Sequence, residues 1–159
     1  MIQFKKYAGI YTLEVMHQLP ISLEEAWNFF SSPENLAQIT PPYMGFQITS
    51  PHQPKMYAGQ IIGYRVNVLP GIKMNWVTEI THVKAKHYFV DNQRFGPYSM
   101  WHHEHFFEEN DQGVLMRDKV SYKIPFGILG HLAQPILVKG QLKKIFQYRF
   151  DTLNKLFVK

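Results

Sequence analysis

The sequence predicts a single α+β domain, in which a curved antiparallel sheet of about seven strands wraps around one long C-terminal helix. Six consecutive segments between residues 44 and 124 alternate hydrophobic and polar side chains, and short connections join them. A helical pattern then occupies about residues 133–157. With 159 residues, 45% of them hydrophobic, the chain suits one domain spanning 1–159. The long helix is the only predicted element large enough to cover the inner face of the sheet.

The N-terminal elements follow from local signals in the sequence. An alternating segment at 12–19 predicts the first strand. Ser22 and Glu25 have the spacing of a capping box, which predicts the start of a short helix. Pro33 suits the first turn of a second short helix, and the proline pair at 41–42 predicts its end. Two short helices should therefore separate the first strand from the others.

The remaining strands and the long helix are predicted from a change of period. The predicted strands are 44–50, 60–69, 73–83, 87–94, 98–109 and 113–124. Turns rich in glycine, proline, asparagine and aspartate separate them, so neighbouring strands should pair antiparallel. The apolar stripe of the long helix consists of Leu142, Phe146, Leu153 and Leu156.

Composition excludes several classes of protein. The absence of cysteine excludes disulfide scaffolds, thiol catalysis and thiolate-bound metal clusters. No apolar run approaches the ~18–20 residues that span a bilayer. The first fifteen residues lack the apolar core of a signal peptide, so we expect a cytoplasmic protein.

The last two strands form a hairpin whose register can be predicted. If Asp111 and Gln112 make its two-residue tip, His105 lies directly opposite Asp118, with Cβ atoms roughly 4.5–5.5 Å apart. The same register sets Trp101 opposite Tyr122. Alternation directs these side chains, together with His103, towards the helix.

Alternation also directs an unusual number of polar side chains inward. The further inward residues are Tyr64, Trp76, Thr78, Phe89, Asp91 and Gln93, and Arg149 falls on the apolar stripe of the long helix. A buried polar group without a partner costs ~1–3 kcal/mol, so we interpret these residues as the lining of a ligand cavity between sheet and helix. The alternative is a solid core in which His105 pairs with Asp118 and Asp91 with Arg149.

The histidines allow two further interpretations. His103 and His105 form an H-x-H pair that could chelate zinc, with Asp118 as third ligand. An isolated H-x-H is weak evidence, so we predict no metal and no cofactor, and expect histidines that hydrogen-bond to Asp118 and to a ligand or water. As an enzyme, the chain would use His105 and Asp118, with His103, for proton transfer in a dehydration, cyclisation or isomerisation. The sequence leaves open whether there is turnover.

Positive charge is concentrated in the C-terminal helix. The net charge is +5, and the segment from Lys139 to Lys159 contains six basic residues and one acidic residue. The aromatic side chains are predicted to face inward, so a stacking surface and the basic surface would not coincide. We therefore predict no nucleic-acid partner and interpret the lysines as a solvated helix face.

Nearly the whole chain resembles the START/SRPBCC helix-grip superfamily. The segments that carry the resemblance are 22–30 (SLEEAWNFF), 33–37 (PENLA), 91–98 (DNQRFGPY), 101–107 (WHHEHFF), 118–122 (DKVSY), 125–130 (PFGILG) and 145–149 (IFQYR). It is most similar to small bacterial cyclase/dehydrase-like or coenzyme-Q-binding START-like proteins. The resemblance implies a hydrophobic ligand between the helix and the sheet. It names neither the ligand nor any catalytic residue.

Three loops should share the end of the sheet at which the long helix begins. Their apolar side chains would form a rim: Leu69, Ile72, Phe95, Phe126, Ile128 and Leu129. We expect this rim, including Phe126 and Leu129 as ligand contacts, to be the mouth of the cavity and a surface for transient membrane contact. The alternative is that these side chains fold inward and plug it.

These observations lead to two main functional hypotheses, with a metal-dependent enzyme as a third. The first is binding of a hydrophobic small molecule or lipid. The alternative is an acid–base enzyme of cyclase or dehydratase type that works in the same cavity. The sequence does not predict an oligomeric state.

Overall fold

An antiparallel sheet curves around the long C-terminal helix, as the helix-grip α+β fold requires. The computed structural model describes residues 2–51, 55–69, 71–125 and 138–158. Within them, the strands are β1 (Ile2–Tyr7), β2 (Ile10–Leu19), β3 (Gln47–Ile48), β4 (Gln60–Leu69), β5 (Ile72–Lys84), β6 (Tyr88–Phe95), β7 (Met100–Asn110) and β8 (Gly113–Lys123). The helices are α1 (Leu23–Phe30), α2 (Pro33–Gln38) and α3 (Lys139–Phe157). The predicted start of the long helix at 133–137 lies outside the described residues.

The sheet has eight strands within the described residues, one more than the sequence predicts. The unpredicted strand is β1, which pairs with β2. A two-residue turn joins them, with Ala8 and Gly9 at φ values of 46° and 77°. Ile2 and Phe4 are half-buried and alternate with exposed neighbours, but two lysines follow them and obscure the pattern.

The strand predicted at 44–50 is much shorter in the structure. Residues Pro42–Met44 form a turn of 3-10 helix, and Gly45 has the left-handed φ of 51°. Only Gln47 and Ile48 remain in strand geometry, where they pair with β4. The other predicted strands are confirmed, with ends shifted by no more than two residues.

The order of strands places β2, an early strand, beside β8, the last strand in the sequence. Across the sheet the order is β1-β2-β8-β7-β6-β5-β4-β3, with every pair antiparallel. The predicted register of the β7–β8 hairpin is confirmed, since His105 pairs with Asp118 and Trp101 with Tyr122. Register shifts on both sides of β5 mark bulges, which bend strands and help to curve a sheet.

The two short helices begin as the sequence predicts. The hydroxyl of Ser22 accepts a hydrogen bond of 3.1 Å from the backbone N–H of Glu25, which caps α1. Pro33 occupies the first turn of α2, where a missing N–H costs nothing. Trp27 and Phe30 of α1 pack against Phe107 of β7.

Helix α3 covers the inner face of the sheet with one stripe of side chains. Leu142 and Phe146 pack in the same cluster as Leu13, Val120 and Tyr122. Farther along, Leu153 packs in a cluster with Leu19 and Ile39.

The predicted stripe of α3 is wrong at its last position. Leu156 is 45% exposed. Phe157 packs near Leu153 instead, and its ring centroid lies 5.1 Å from that of Phe29. Residues four apart on a helix share a face, so Phe157 rather than Leu156 continues the inner face after Leu153. None of the helices in the described residues is long and apolar enough to cross a membrane.

His17 gives the contact between β2 and α3 a pH dependence. Its ring is buried, stacks on Phe150 at 4.2 Å, and Nε2 lies 2.9 Å from Asn154 Oδ1. Burial lowers the pKa of His17 below 6.5, although the contact with Asn154 and the charge of Asp118 oppose the change. As the pH falls towards the pKa that His17 has in the unfolded chain, the unfolded chain therefore binds more protons than the folded chain.

We expect His17→Gln to weaken the loss of stability in mild acid. As pH decreases from about 7.5 to about 5.5, the free energy of unfolding of the wild type should fall relative to that of the variant. Urea denaturation at several pH values measures the difference between the two chains. Parallel curves would contradict this account of His17.

Candidate functional site

Four titratable side chains meet on the inner face of three adjacent strands. Asp91 comes from β6, His103 and His105 from β7, and Asp118 from β8. Residues two apart on one strand share a face, which puts the imidazoles side by side. Asp91 pairs with His103 across β6–β7, while Asp118 pairs with His105 across β7–β8. The sheet register therefore encloses the two imidazoles between two carboxylates.

Each imidazole has one nitrogen near Asp91 and the other near Asp118. His103 Nε2 hydrogen-bonds to Asp118 Oδ1 at 2.9 Å, and its Nδ1 is 3.5 Å from Asp91 Oδ2. His105 Nε2 hydrogen-bonds to Asp91 Oδ2 at 2.9 Å. His105 Nδ1 is 2.8 Å from Asp118 Oδ1, but its direction does not meet hydrogen-bond geometry. The two rings lie 3.7 Å apart between centroids.

Arg149 of α3 brings a positive charge to this cluster. Its Nη1 is 4.0 Å from Asp118 Oδ2, and its guanidinium lies over the ring of Phe146 at 5.0 Å. The ion pair is thus with Asp118 rather than with Asp91, the partner considered in the solid-core alternative. Its Nε is buried without a hydrogen-bond partner among the described residues. The guanidinium of Arg149 is therefore not fully paired within the described residues.

Both carboxylates are held in the charged form. Burial acts to raise the pKa of Asp118, but the hydrogen bond from His103 and the close contact with His105 outweigh it and hold the pKa far below its usual range. For Asp91, burial is likewise outweighed by the hydrogen bond from His105 and the nearby positive charges, which lower the pKa. The cluster therefore contains two negative charges.

The two imidazoles differ in their protonation. Burial lowers the pKa of His103, with a further contribution from the charge on His105. Burial also acts to lower the pKa of His105, but the contacts with Asp118 and Asp91 raise it overall. At a pH near 6.5, His105 is therefore mostly positive and His103 mostly neutral, so that with Arg149 and the two negative aspartates the charges nearly cancel. A buried group of charges is tolerable in such a balanced arrangement.

A cavity of about 350 Å³ lies beside this cluster, between the sheet, α3 and the α1–α2 segment. Nine of the residues predicted to bind ligand contribute to its wall: Tyr64, Trp76, Thr78, Phe89, Asp91, Trp101, His103, His105 and Arg149. Most of the remaining wall is aliphatic or aromatic. The cavity thus offers an apolar space with one charged, hydrogen-bonding wall.

Three of the predicted lining residues do not reach the cavity. Gln93 closes the turn after β6, where its amide donates to Tyr98 O at 2.6 Å and accepts from Tyr98 N at 3.2 Å. Asp118 lies behind the imidazoles, and Tyr122 is fully buried against Tyr11, with ring centroids 5.6 Å apart. Alternation predicted the face of each residue correctly, but neighbouring side chains cover Asp118 and Tyr122.

The rim of the cavity is described only in part. Phe126 and Leu129, like Ile128, lie outside the described residues, and the side chain of Leu69 is not described either. Ile72 is 50% exposed and Phe95 is 61% exposed. The inward-folding alternative is therefore wrong for Ile72 and Phe95.

Several wall residues were missed from the sequence. Phe29, Phe30 and Leu36 reach the cavity from α1 and α2, and Tyr98 reaches it from the β6–β7 turn. Their placement depends on how helices and loops dock, which periodicity does not reveal. On α3, however, a signal was present: Gln141, Ile145 and Arg149 are spaced by four residues and line one face of the helix.

The cluster combines groups that exchange protons and groups that bind metals. Asp91, His103 and His105 line the cavity, so either carboxylate or imidazole atoms could contact a bound molecule. One donor atom from each of these three residues lies within 4.8 Å of the other two. Within the described part of the chain, it is the one group with this property.

Comparisons with known proteins identify the fold. No family model matches the chain, and no curated protein matches it in sequence. Protein CV1439 from Chromobacterium violaceum has a similar structure, with a TM-score of 0.71 and 13% identity over 93% of this chain and 97% of that one. A protein from Arthrobacter aurescens superposes with a TM-score of 0.70 and 12% identity over 96% and 91% of the two chains. Ara h 8.0201 gives a TM-score of 0.57 and 15% identity over 92% and 99%. These likenesses support the helix-grip fold.

Proposed function

We propose that the protein binds a hydrophobic small molecule or lipid in the cavity between the sheet and α3. The observation that carries this proposal is the volume of about 350 Å³ with mostly apolar walls. This volume lies in the range of ligand pockets, roughly 300–1,000 Å³. An empty apolar hole of this size would cost about 8 kcal/mol at about 24 cal/mol per Å³, comparable with the whole stability of a domain. Occupancy by a ligand removes most of that cost.

The ligand should carry an oxygen acceptor at one end. Arg149 lines the cavity, and its buried Nε has no hydrogen-bond partner among the described residues. His105 Nε2 and Asp91 on the same wall are already bonded to each other. A carbonyl, phenol or carboxylate oxygen directed at the guanidinium of Arg149 would pair with its positive charge, while the rest of the molecule contacts the aromatic walls.

A pair of valine variants tests the proposal. Val66 is buried and lines the cavity, so Val66→Trp should fill part of it and weaken uptake of a fluorescent fatty-acid analogue by at least about tenfold. Binding can be followed through energy transfer from Trp76 and Trp101, which line the same wall.

The control makes the same substitution on the other face of the neighbouring strand. Val77 is half-buried and does not line the cavity, and it directly precedes the inward Thr78 on β5. Val77→Trp should therefore bind the analogue as the wild type does. Equal binding by wild type, Val66→Trp and Val77→Trp would contradict the proposed binding site.

A second candidate function is acid–base catalysis of a cyclisation or dehydration. The contact of His105 Nε2 with Asp91 Oδ2, at 2.9 Å on the cavity wall, favours it. Incubation of the protein with a molecule extracted from it, followed by mass spectrometry, distinguishes the two. Loss of one water by the molecule with wild type, but not with Asp91→Asn, would support catalysis. A cyclisation without loss of water leaves the mass unchanged, so chromatographic retention is compared as well, and an unchanged mass and retention with both chains would support binding alone.

The exposed rim supports transient contact with a membrane as part of the proposed function. Ile72 is the first residue of β5 and Phe95 is the last residue of β6, and both side chains are at least half exposed. Burying each side chain in lipid would contribute about 1.5–3 kcal/mol. The double variant Ile72→Asp/Phe95→Asp should therefore reduce co-sedimentation with phosphatidylcholine vesicles by about tenfold or more.

An equally exposed isoleucine provides the control for the rim. Ile61 is 51% exposed and lies at the opposite end of β4 from the rim. Ile61→Asp should leave vesicle binding unchanged. Equal losses of vesicle binding in Ile61→Asp and in the rim variant would contradict a specific role for the rim.

A further inference from the structure

We propose that Asp91, His103 and His105 together bind one divalent transition-metal ion on the wall of the cavity. Hydrophobic ligand binding needs no metal, so this inference goes beyond the proposed function and does not rest on it. The sequence alone favours hydrogen-bonded histidines and no metal. The arrangement of the nitrogen and oxygen atoms leads us to a different conclusion.

The distances suit three ligands of one ion. Ligand atoms about 2.0–2.1 Å from an ion, at octahedral to tetrahedral angles, lie about 3.0–3.4 Å from each other. Asp91 Oδ2 is 2.9 Å from His105 Nε2 and 3.5 Å from His103 Nδ1. The three donor atoms all lie within 4.8 Å of one another, so side-chain rotation would direct them to a common centre, with loss of the proton between His105 and Asp91.

Asp118 occupies the position that a supporting carboxylate takes in metal sites. A histidine ligand usually donates its second ring nitrogen to a carboxylate or carbonyl, which fixes the orientation of the ring. His103 Nε2 and His105 Nδ1 are 2.9 Å and 2.8 Å from the same atom, Asp118 Oδ1. Asp118 is buried and lies outside the cavity wall. One carboxylate is therefore available as a ligand, while the other already holds His103 by a hydrogen bond and lies close enough to accept one from His105 once that ring turns.

The remaining coordination positions would face the cavity. Three protein ligands leave at least one position open on a tetrahedral ion and three on an octahedral ion. Two imidazoles and one carboxylate suit zinc and iron(II), whereas calcium and magnesium prefer oxygen ligands alone. Water or an oxygen atom of a bound molecule would complete the shell.

Metal titration of the whole chain tests the site, with cobalt(II) and zinc as the probes. After removal of metal with a chelator, the wild type should bind one Co²⁺, seen as visible ligand-field absorption, and one Zn²⁺ by calorimetry. Asp91→Asn should weaken zinc binding by more than about 100-fold, and Asp118→Asn by about 10–100-fold. Circular dichroism establishes that each variant is folded.

The neighbouring histidine supplies a matched control. His102 lies on the opposite face of β7, where its Nδ1 is 2.7 Å from Asn92 Oδ1. His102→Gln should bind zinc as the wild type does. In the wild type, Zn²⁺ should also shift the imidazole resonances of His103 and His105, a measurement that requires no variant. Absence of stoichiometric binding, or shifts confined to other histidines, would overturn the proposal.

Discussion

Asp118→Ala should lower the free energy of unfolding by about 3–5 kcal/mol, which is the usual cost of removing one partner from a buried group of charges. Asp118 accepts the hydrogen bond from His103 and is the carboxylate within 4.0 Å of Arg149. Its removal leaves Arg149 and His105 with Asp91 as the remaining negative charge of the cluster. Buried charge without compensation is expensive, so the loss should greatly exceed that of an ordinary surface substitution.

Two further variants show how much of this loss of stability comes from the charge of Asp118 rather than from the size of its side chain or from its place in the hairpin. Asp118→Asn keeps the size of the side chain and one acceptor oxygen, so the loss should be smaller than for alanine. Asp111 is exposed at the tip of the same hairpin, and Asp111→Ala should change stability by no more than about 0.5 kcal/mol. Urea denaturation near neutral pH gives all three values. Similar losses for Asp118→Ala and Asp111→Ala would show that the cluster does not stabilise the fold.

The second large effect is expected at the start of β8, where Gly113→Ala should lower the free energy of unfolding by at least about 3 kcal/mol. Gly113 has a φ of 112°, which disfavours other residues. A Cβ atom there would also overlap the carbonyl oxygen of Leu19 and lie 3.0 Å from backbone atoms of Ile21. The backbone cannot move aside as the end of a flexible side chain can. Backbone strain and steric overlap should therefore both contribute to the loss of stability.

Gly9 separates these two contributions. Its φ is 77°, but a Cβ atom added there meets nothing within 4 Å. Gly9→Ala should therefore introduce backbone strain without overlap, and should lower the free energy of unfolding by about 1 kcal/mol. Denaturation of both variants gives the contribution of the overlap by difference. A loss at Gly113 no larger than at Gly9 would contradict the close packing of β8 against the segment after β2.

Local signals in the sequence were sufficient to predict the β7–β8 hairpin and its register. The two-residue tip at Asp111 and Gln112 determines which residues face each other, and one buried face then determines the direction of every side chain. His105 opposite Asp118 follows from these two facts. By contrast, β1 contains too few apolar residues to give a clear alternating pattern, and the turn around Gly45 shortens β3.

Depth within the site could not be predicted in the same way. Alternation directs both His105 and Asp118 inward, but only His105 lines the cavity. The second hydrogen bond of the cluster, from His105 to Asp91, crosses the β6–β7 pair diagonally, since the strand partner of Asp91 is His103. Neighbouring residues on the inner face can therefore bond in more than one way, and only their three-dimensional arrangement decides between them.

Docked elements were harder still to predict from the sequence. Phe29 and Phe30 contribute to the cavity because α1 and α2 fold across its edge, a contact between segments distant in sequence. Helical periodicity did predict that Arg149 shares a face with Phe146 and Leu153, and this is confirmed by their burial on α3. Periodicity could not predict that Arg149 pairs with Asp118, because this contact depends on where α3 lies along the sheet.

Native mass spectrometry of the wild type, purified without detergent and followed by organic extraction, tests the binding of a hydrophobic molecule most directly. We expect a population heavier than the chain by the mass of one organic molecule, recovered in the extract and strongly reduced in Val66→Trp. A chain of unmodified mass, an extract without such a molecule, and no uptake of a fluorescent fatty-acid analogue by the same preparation would together contradict the account.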